Sequence, residues 1–274
     1  MPELAEVEFY RRRWHEAAAG QRITRVALHP GARVFRGTDT TALARMITGT
    51  RLQGSEAAAK QMIFRFANGA ALGLHLGMSG ELEAAAVGHE PAKHDHLVLY
   101  TGRSALVFRD PRMFGRVLFH RGPGEPRWWQ DIAPAILSPD FTVAVVASFL
   151  QRRSRAPIKA VLLMQERFPG IGNWMADEVL WRAAIHPRRR AGSLTPAEIR
   201  ILHRECRNVC RMALKTIAGQ GGRLPPDLNV HIPDRWLFNH RWQPGGTCPR
   251  TRRPLAHATI GGRTTCWSPA RQKI

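Results

Sequence analysis

The sequence has few cysteines and no long apolar run, and each absence narrows what the protein can be. Four cysteines in 274 residues are too few and too scattered for a disulfide scaffold. No stretch approaches the ~20 consecutive apolar residues of a transmembrane helix, and no basic segment followed by an apolar run marks a secretory signal. We therefore predict a cytoplasmic protein, nucleoid-associated if the source is bacterial, with no membrane partner.

Acidic residues are also scarce. The chain has 21 Asp and Glu against 41 Lys and Arg, which gives a formal net charge of +20. Such an excess predicts a polyanionic partner. The arginines and eight tryptophans supply groups for phosphate contact and for base stacking. A coding bias towards arginine and alanine would give the same excess without any partner, so the charge leaves both explanations open.

The hydrophobic pattern divides the chain into two halves of different secondary structure. Within residues 20–120 the short alternating or apolar runs are RITRVALH, KQMIFRFANGAALGLHLG, HLVLYTGRSALVFRD and FGRVLFH. Turn signals such as NG and TG divide them, which predicts an antiparallel β-sandwich. The segment LAEVEFYRRRWHEAAAG before it has the 3.6-residue period of a helix. Glycine and proline interrupt the pattern in RGPGEPRWWQD, and we expect the domain boundary there.

The second half is predicted to be helical and to end in a hairpin. FTVAVVASFLQRR, IKAVLLMQERF and NWMADEVLWRAAI have helical periods, and TPAEIRILHRECRNVCRMALKTIA begins with Thr195, Pro196 and Glu198 in capping-box spacing. The segment LPPDLNVHIPDRW has no period and predicts a loop. The GG in ATIGGRTT predicts the turn of a small terminal hairpin. The fold class is therefore α+β.

Three glutamates lie within the first eight residues, MPELAEVE, directly behind Pro2. Removal of Met1 would leave Pro2 with a free secondary amine, a nucleophile that attacks a sugar aldehyde carbon to give an iminium. Glu3 is suited to protonate the sugar oxygen, and Glu6 follows one turn later on the same helical face. Proline and glutamate at a helix start also stabilise a helix on their own, so these residues alone leave both interpretations open.

Further motifs follow this amino terminus in a fixed order. PELAEVE, HLGMSG, KHDH, DPRMFG, IGNWMADEVLWRAAIHP, QGG and GGRTT span nearly the whole chain. Their order and spacing resemble the formamidopyrimidine-DNA glycosylase and endonuclease VIII family of base-excision repair enzymes, and PEL is closer to the formamidopyrimidine branch. The resemblance implies a monomeric, bifunctional DNA glycosylase and AP lyase. Such an enzyme excises oxidised bases, chiefly oxidised purines such as formamidopyrimidine and 8-oxoguanine, from double-stranded DNA and nicks the strand by elimination at abasic sites.

The resemblance also implies roles for individual residues. Pro2 corresponds to the Schiff-base nucleophile and Glu3 to the general acid, with Glu6 supporting the site. The residues that the resemblance assigns to DNA binding are Lys60, His75, Met78, His94, Arg112, Phe114, Lys159, Asn173 and Arg263.

These DNA-binding residues fall into groups with different tasks. Phosphate-holding residues of the family match Lys60, His75, Asn173 and Arg263, and KHDH adds His94 as a further phosphate contact. Void-filling residues, which enter the duplex after a base is flipped out, match Met78, Arg112 and Phe114. Lys159 matches a lysine near the lesion pocket. Without the resemblance, Met78 and Phe114 would more often be core residues, Lys60 solvated surface, and Asp95 and His96 braces of a strand.

The carboxyl-terminal segment departs from the family. The familiar finger holds zinc with two C-x2-C pairs. Alignment on GGRTT puts at these four positions Cys248, Thr251, Ser268 and Arg271. One matched ligand does not hold a structural zinc, so we predict a zincless finger and no cofactor. We expect the hairpin to be held instead by packing of Trp236, Trp242, Trp267 and neighbouring apolar residues.

The predicted organisation is an amino-terminal catalytic β-sandwich domain flanked by helices (1–121), a linker (122–134), a helix-two-turn-helix domain with a lesion-loop segment (135–240) and a zincless-finger hairpin (241–274). Two rival functions stay open. One is a non-catalytic protein that binds damaged DNA on the same scaffold, against which the pairing of Pro2 with Glu3 argues. The other is a basic RNA-binding protein without preference for damaged duplexes.

Overall fold

The computed structural model describes residues 2–219, 224–225, 227–242 and 245–274. It consists of two compact units. The first comprises residues 2–132 with Leu224, and the second comprises the other described residues from Ala133 onward. The boundary falls inside the segment 122–134, which also contains a short helix. The finer division of the second unit at residue 240 stays a prediction.

The first unit is built on two four-stranded antiparallel sheets. Its strands are β1 (Arg25–Leu28), β2 (Leu52–Ala58), β3 (Gln61–Phe66), β4 (Ala71–His75), β5 (Glu81–Ala85), β6 (Asp95–Tyr100), β7 (Ala105–Arg109) and β8 (Arg116–His120). The orders are β1-β6-β7-β5 and β2-β3-β4-β8, which confirms the predicted antiparallel sandwich. The patterns missed β2 and β5, because LQGSEAA and ELEAA are poor in β-branched and aromatic residues and depend on their neighbours β3 and β7 for pairing.

Three helices accompany these sheets: α1 (Leu4–Ala18), α2 (Thr40–Ile47) and α3 (Arg127–Gln130). Helix α1 confirms the predicted amino-terminal helix, and Gly20 follows it with φ +73°. It completely buries Val7 and Trp14, and the Trp14 indole N–H donates to the carbonyl of Glu83 in β5 at 3.0 Å. Burial of a large apolar side chain contributes about 1.5–3 kcal/mol, so the packing of α1 fixes the residues at its start.

The second unit contains the helices α4 (Val143–Arg152), α5 (Ile158–Leu162), α6 (Asn173–Ala183) and α7 (Pro196–Ala213). The capping box predicted at the start of α7 is formed, and a π-helical segment, Leu214–Gly219, continues it. Helix α5 ends at Leu162, earlier than predicted, and in the segment that follows the Gln165 side chain bonds the carbonyls of Leu163 and Ile171 and the N–H of Gly170. Within the described part of the chain, none of the helices is both long and apolar enough to cross a membrane.

The terminal hairpin consists of β9 (Ala256–Ile260) and β10 (Arg263–Trp267). It turns at Gly261 and Gly262, whose φ values are +60° and +75°, as the sequence predicted. A Cβ at Gly261 would lie 2.6 Å from the Cβ of Ala160. The first glycine is therefore required twice, for its backbone conformation and for close contact with α5.

Candidate functional site

The amino terminus of α1 carries the predicted catalytic residues. Pro2 is half-buried, whereas Glu3 and Glu6 are only 1% and 5% exposed. The Glu6 carboxylate accepts a hydrogen bond from the Glu3 backbone N–H at 3.2 Å, part of a capping box at the start of the helix. The partial positive charge of the helix amino terminus stabilises both carboxylates. The sequence therefore folds two buried acids directly behind Pro2, and Glu6 fixes the backbone of Glu3.

The turn between β2 and β3 brings Lys60 close to His75. Lys60 is in a two-residue turn with Ala59, whose φ is +55°, and Gln61 pairs with His75 across β3 and β4. Burial lowers the pKa of His75, and the positive charges of Lys60 and Arg36 lower it further. Its Nδ1 accepts the Gly77 N–H at 3.0 Å. The neutral ring therefore carries its proton on Nε2, a donor suited to a phosphate oxygen.

The three predicted void-filling residues lie on two loops, residues 76–80 and 110–115. Met78 and Phe114 are 40% and 44% exposed, so the alternative that they are core residues is excluded. The guanidinium of Arg112 lies over the Phe114 ring, 4.8 Å from its centroid. Two apolar side chains and one cation are thus held out into solvent, as a wedge into a duplex requires.

Asp110 joins these two loops, and sequence reasoning assigned it no role. It is fully buried. One carboxylate oxygen accepts the Ser79 hydroxyl at 2.7 Å, and the other accepts the Gly115 N–H at 2.7 Å. A Cβ on Gly77 would lie 2.5 Å from the carbonyl carbon of Phe114, so the backbones are in close contact. The initial aspartate of DPRMFG was the available signal, because aspartate often binds backbone N–H groups in turns.

The KHDH segment is divided between a half-buried residue and two structural ones. His94 is half-buried, and its carbonyl accepts the Asp110 N–H at 3.0 Å. Asp95 is buried, and although burial alone would raise its pKa, hydrogen bonds led by that from Arg109 lower it to about 2. His96 Nε2 donates to the carbonyl of Asp110 at 2.9 Å. Asp95 and His96 therefore brace the strand, as the alternative interpretation held.

Lys159 requires a correction. It was expected to contact DNA, but its side chain is completely buried in an ion pair with Asp177, Nζ to Oδ1 at 2.5 Å. The same ammonium donates to the backbone carbonyl of Asn173 at 2.7 Å. A side chain without exposed surface does not reach a phosphate. In this structure Lys159 bonds Asp177 and the Asn173 carbonyl instead of a ligand.

Asn173 and Arg263 are brought together in the second unit. Asn173 is the first residue of α6, where backbone N–H groups and the helix dipole favour an anion. Its side-chain amide donates to the carbonyl of Thr264 at 2.9 Å. Arg263 precedes Thr264 directly and is exposed at the start of β10. One hydrogen bond therefore links Asn173 to the residue that follows Arg263, and these two predicted phosphate-binding residues lie on neighbouring elements.

Cys248 is the one thiol among the four positions aligned with zinc ligands, and it accepts hydrogen bonds. Cys248 Sγ accepts the Trp181 indole N–H at 3.3 Å and the Thr251 N–H at 3.4 Å. Burial alone would raise the pKa of Cys248, but hydrogen bonds from Thr251, Ser268 and Trp181 lower it to about 7. Arg271 donates to the carbonyls of Trp181 and Arg182 at 2.8 and 2.9 Å. One thiol, two hydroxyls and a guanidinium do not suit zinc, which binds thiolates and imidazoles.

The predicted tryptophan packing of the finger is only partly correct. Trp242 is 58% exposed and belongs to no core. Trp236 is buried against Trp174, and Trp267 contacts His186 edge to face. The apolar residues that pack together under the hairpin are Trp181, Leu237, Cys248, Leu255 and Cys266. Among the described residues, no three His, Cys, Asp or Glu side chains come together to hold a metal ion. The QGG motif, residues 220–222, lies outside the described residues.

The chain is similar over its whole length to proteins of one family. Residues 1–117 match the family model of the formamidopyrimidine-DNA glycosylase N-terminal domain, and residues 132–222 match that of the H2TH domain. The chain is 34% identical to the formamidopyrimidine-DNA glycosylase of Roseiflexus sp., with 100% of both chains covered. It is 35% identical to that of Thermus thermophilus, covering 99% of this chain and 98% of the relative. A Lactococcus lactis enzyme bound to DNA containing Fapy-dG matches with a TM-score of 0.87, 28% identity and full coverage of both chains.

Proposed function

The chain belongs to the formamidopyrimidine-DNA glycosylase family, and from this we propose that Pro2 is the nucleophile with which it acts on damaged DNA. The chain is a DNA glycosylase and AP lyase for oxidised bases, and its partner is DNA. We extend this to oxidised purines such as formamidopyrimidine and 8-oxoguanine. The extension is supported by the Fapy-dG in the DNA of the Lactococcus complex. The non-catalytic alternative is not favoured.

The proposed reaction uses the residues at the start of α1. The amine of Pro2 attacks C1′ of the damaged nucleotide, the bond between C1′ and the base breaks, and the base leaves with the proton that the amine releases. Glu3 protonates the ring oxygen of the sugar, so the ring opens and the electron pair of the amine completes the C1′–N iminium. Loss of a proton from C2′ then expels the 3′ phosphate by β-elimination, which nicks the strand. Glu6 keeps Glu3 in place through the 3.2 Å bond to its backbone N–H.

DNA binding is proposed to use residues of both units. Lys60, His75, Asn173 and Arg263 hold phosphates, with His94 as a further contact, and the charge excess of the chain supports a salt-dependent affinity. Flipping a base out of a duplex costs a few kcal/mol. Met78, Arg112 and Phe114 offset this cost by filling the vacated space, with apolar contacts from two of them and hydrogen-bond donors from the guanidinium.

The single observation that carries the assignment of the nucleophile is the position of Pro2, half-buried beside two buried glutamates at the start of α1. Borohydride reduces an iminium to a stable amine. We therefore expect the wild-type protein to form a covalent adduct with an abasic-site duplex in the presence of borohydride, visible as a band of reduced mobility. A chain with one residue added before Pro2 has an amide in place of the amine and should form no adduct, whereas Pro2→Gly keeps a primary amine and should form less adduct than the wild type.

A matched control separates chemistry from folding. Pro2→Gly should bind a duplex with an uncleavable abasic analogue as tightly as the wild type, because Pro2 is proposed to contact only the reacting sugar. Failure of the wild-type protein to form any adduct would overturn the proposed reaction. Equal adduct from the wild type and from the chain with a residue added before Pro2 would keep the reaction and reject Pro2 as its nucleophile. A panel of duplexes with oxidised purines and oxidised pyrimidines tests the substrate class.

We also propose that the finger works without zinc. The proposal is supported by the donor set around Cys248, in which the Arg271 guanidinium occupies an aligned ligand position. Metal analysis of purified protein should give far less than one zinc per chain, and a chelator should leave the DNA affinity unchanged. About one equivalent of zinc that resists dialysis would contradict this.

A further inference from the structure

The terminal hairpin is fixed by a buried group of charges that the predicted zinc-free finger does not explain. Asp177 in α6 has no exposed surface and is bonded to two cations. Lys159 Nζ donates to Oδ1 at 2.5 Å, and Arg241 Nη2 donates to Oδ2 at 2.7 Å. Oδ2 also accepts the backbone N–H of Cys266 in β10 at 3.0 Å. One carboxylate thus joins α5, α6, the segment before the hairpin and the hairpin itself.

Asn173 and Asp177 together grip one edge of β10. Residues at i and i+4 of a helix share a face and are separated by about 6.0 Å along its axis. Alternate residues of a strand are separated by about 6.6–6.8 Å. Asn173 bonds the Thr264 carbonyl and Asp177 bonds the Cys266 N–H. In an antiparallel pair with Arg263 opposite Ile260 beside the turn, these are the groups that face away from β9. The helix therefore satisfies the free edge of the hairpin.

Other contacts of the same group fix the turn that presents Arg263. Lys159 also bonds the Asn173 carbonyl, and the neighbouring residue Ala160 is in close contact with Gly261 of the turn. The Arg241 carbonyl accepts a hydrogen bond from His257 Nε2 in β9 at 3.0 Å. The turn is held on one side by α5 and along β10 by α6, so the backbone that carries Arg263 is fixed relative to Asn173.

We propose that Asp177, held by Lys159 and Arg241, is a positioning residue that keeps Asn173 and Arg263 at the spacing of the DNA phosphates they bind. The residues aligned with zinc ligands close the finger around Cys248, and Asp177 sets its position against α6. This inference rests on the proposed function only for the identity of the ligand. Fixed geometry increases affinity because the free protein has already lost the freedom that binding would remove.

The test compares two variants whose stability and DNA affinity should rank in opposite orders. Asp177→Asn leaves two buried cations with a neutral partner, so it should unfold at the lowest temperature. It keeps a carbonyl oxygen for the Cys266 N–H and should bind DNA at intermediate strength. The triple variant Lys159→Met, Asp177→Leu, Arg241→Met removes the charges together and should melt near the wild type. It provides no acceptor for Cys266 and should bind an abasic-analogue duplex about 10- to 100-fold more weakly.

Further readouts exclude a merely structural role. The single-turnover rate at saturating DNA should be unchanged in the triple variant, because the proposed chemistry uses Pro2 and Glu3. The matched control is Glu178→Gln, the next residue of α6, a buried carboxylate that pairs with Arg182 and accepts the Phe238 N–H, without a hydrogen bond to β9 or β10 among the described residues. It should keep wild-type affinity even if it is less stable. If the triple variant folds and binds DNA like the wild type, the proposal is wrong. If it does not fold, equal affinities of Asp177→Asn, Glu178→Gln and wild type overturn the proposal equally.

The outcome is separable from that of the proposed function. Absence of a borohydride adduct in the wild type rejects the chemistry, whereas the affinities are measured on an uncleavable duplex and need no turnover. An adduct in the wild type with no ranking of affinities among the variants rejects the positioning role alone.

Discussion

Each unit uses one buried aspartate to hold its predicted DNA-binding residues, but the two aspartates have different partners. Among the described residues, the partners that donate to Asp110 in the first unit are a hydroxyl and backbone N–H groups only. Asp177 in the second unit lies between two cations. The first charge is stabilised by neutral dipoles, two from its own loop and one from the loop of Ser79, and the second by cationic side chains distant in sequence. A buried aspartate therefore joins separate segments in both units, with neutral donors as its partners in the first unit and cations in the second.

The difference has an energetic consequence. Removal of one partner from a buried ion pair leaves an uncompensated charge and costs about 3–5 kcal/mol, whereas replacement of the entire group by apolar residues is often neutral. The partners of Asp110 include the backbone N–H groups of Arg112 and Gly115, which no substitution removes. We expect apolar residues to replace Lys159, Asp177 and Arg241 together with little loss of stability. Any substitution of Asp110 should lower stability.

The largest effect that tests this comparison is Asp177→Asn against Asp110→Asn. We expect Asp177→Asn to lower the free energy of unfolding by about 3–5 kcal/mol. Asp110→Asn should lower it by about 1.5–3 kcal/mol, the contribution of hydrogen bonds to a charged group. Urea denaturation, followed separately by unit-specific fluorescence or hydrogen exchange, measures both. Equal losses in the two variants would show that the partners do not matter.

Asp110→Asn should also affect DNA binding through the loops that it joins. Met78 and Phe114 would remain exposed but lose their fixed relative position, so affinity for an abasic-analogue duplex should fall. Ser79→Ala is the matched control, because it removes one hydroxyl partner and leaves the Gly115 and Arg112 bonds in place. Ser79→Ala should lower the free energy of unfolding by about 1 kcal/mol. If Ser79→Ala weakens DNA binding as much as Asp110→Asn does, the Ser79 hydroxyl alone holds the two loops together.

Features that depend on residues adjacent in the sequence could be predicted from it. The turn at Gly261 and Gly262 was predictable because it needs two positive φ values, which glycine adopts readily. The family that the order of motifs indicated and the α+β fold class were also predicted correctly. The group around Asp177 was not predictable, because residues 159, 177 and 241 meet only in the folded unit. Trp242 was wrongly assigned to the core because a residue type alone does not determine its burial.

The smallest expected effect is at His75, which holds the loop of Met78 from the other side. Its Nδ1 accepts the Gly77 N–H, and a protonated ring has no acceptor at that nitrogen. Burial and the charges of Lys60 and Arg36 lower the pKa of His75 below 6.5. The unfolded chain therefore takes up this proton at a higher pH than the folded one. The contribution of His75 to stability is present above pH 6.5 and is lost as the pH falls through the folded-state pKa.

Two substitutions at His75 separate the two ring nitrogens. Asparagine supplies an acceptor near Nδ1 and glutamine supplies a donor near Nε2. His75→Asn should keep the Gly77 bond, flatten the pH dependence of unfolding between about pH 7 and 5 and weaken DNA binding, because the phosphate donor is gone. His75→Gln should lose about 1 kcal/mol of stability with the Gly77 bond and retain more affinity. If both variants keep the wild-type pH dependence, another histidine is its source. In that case Asp110 holds the loops of Met78 and Phe114 without help from the His75 ring.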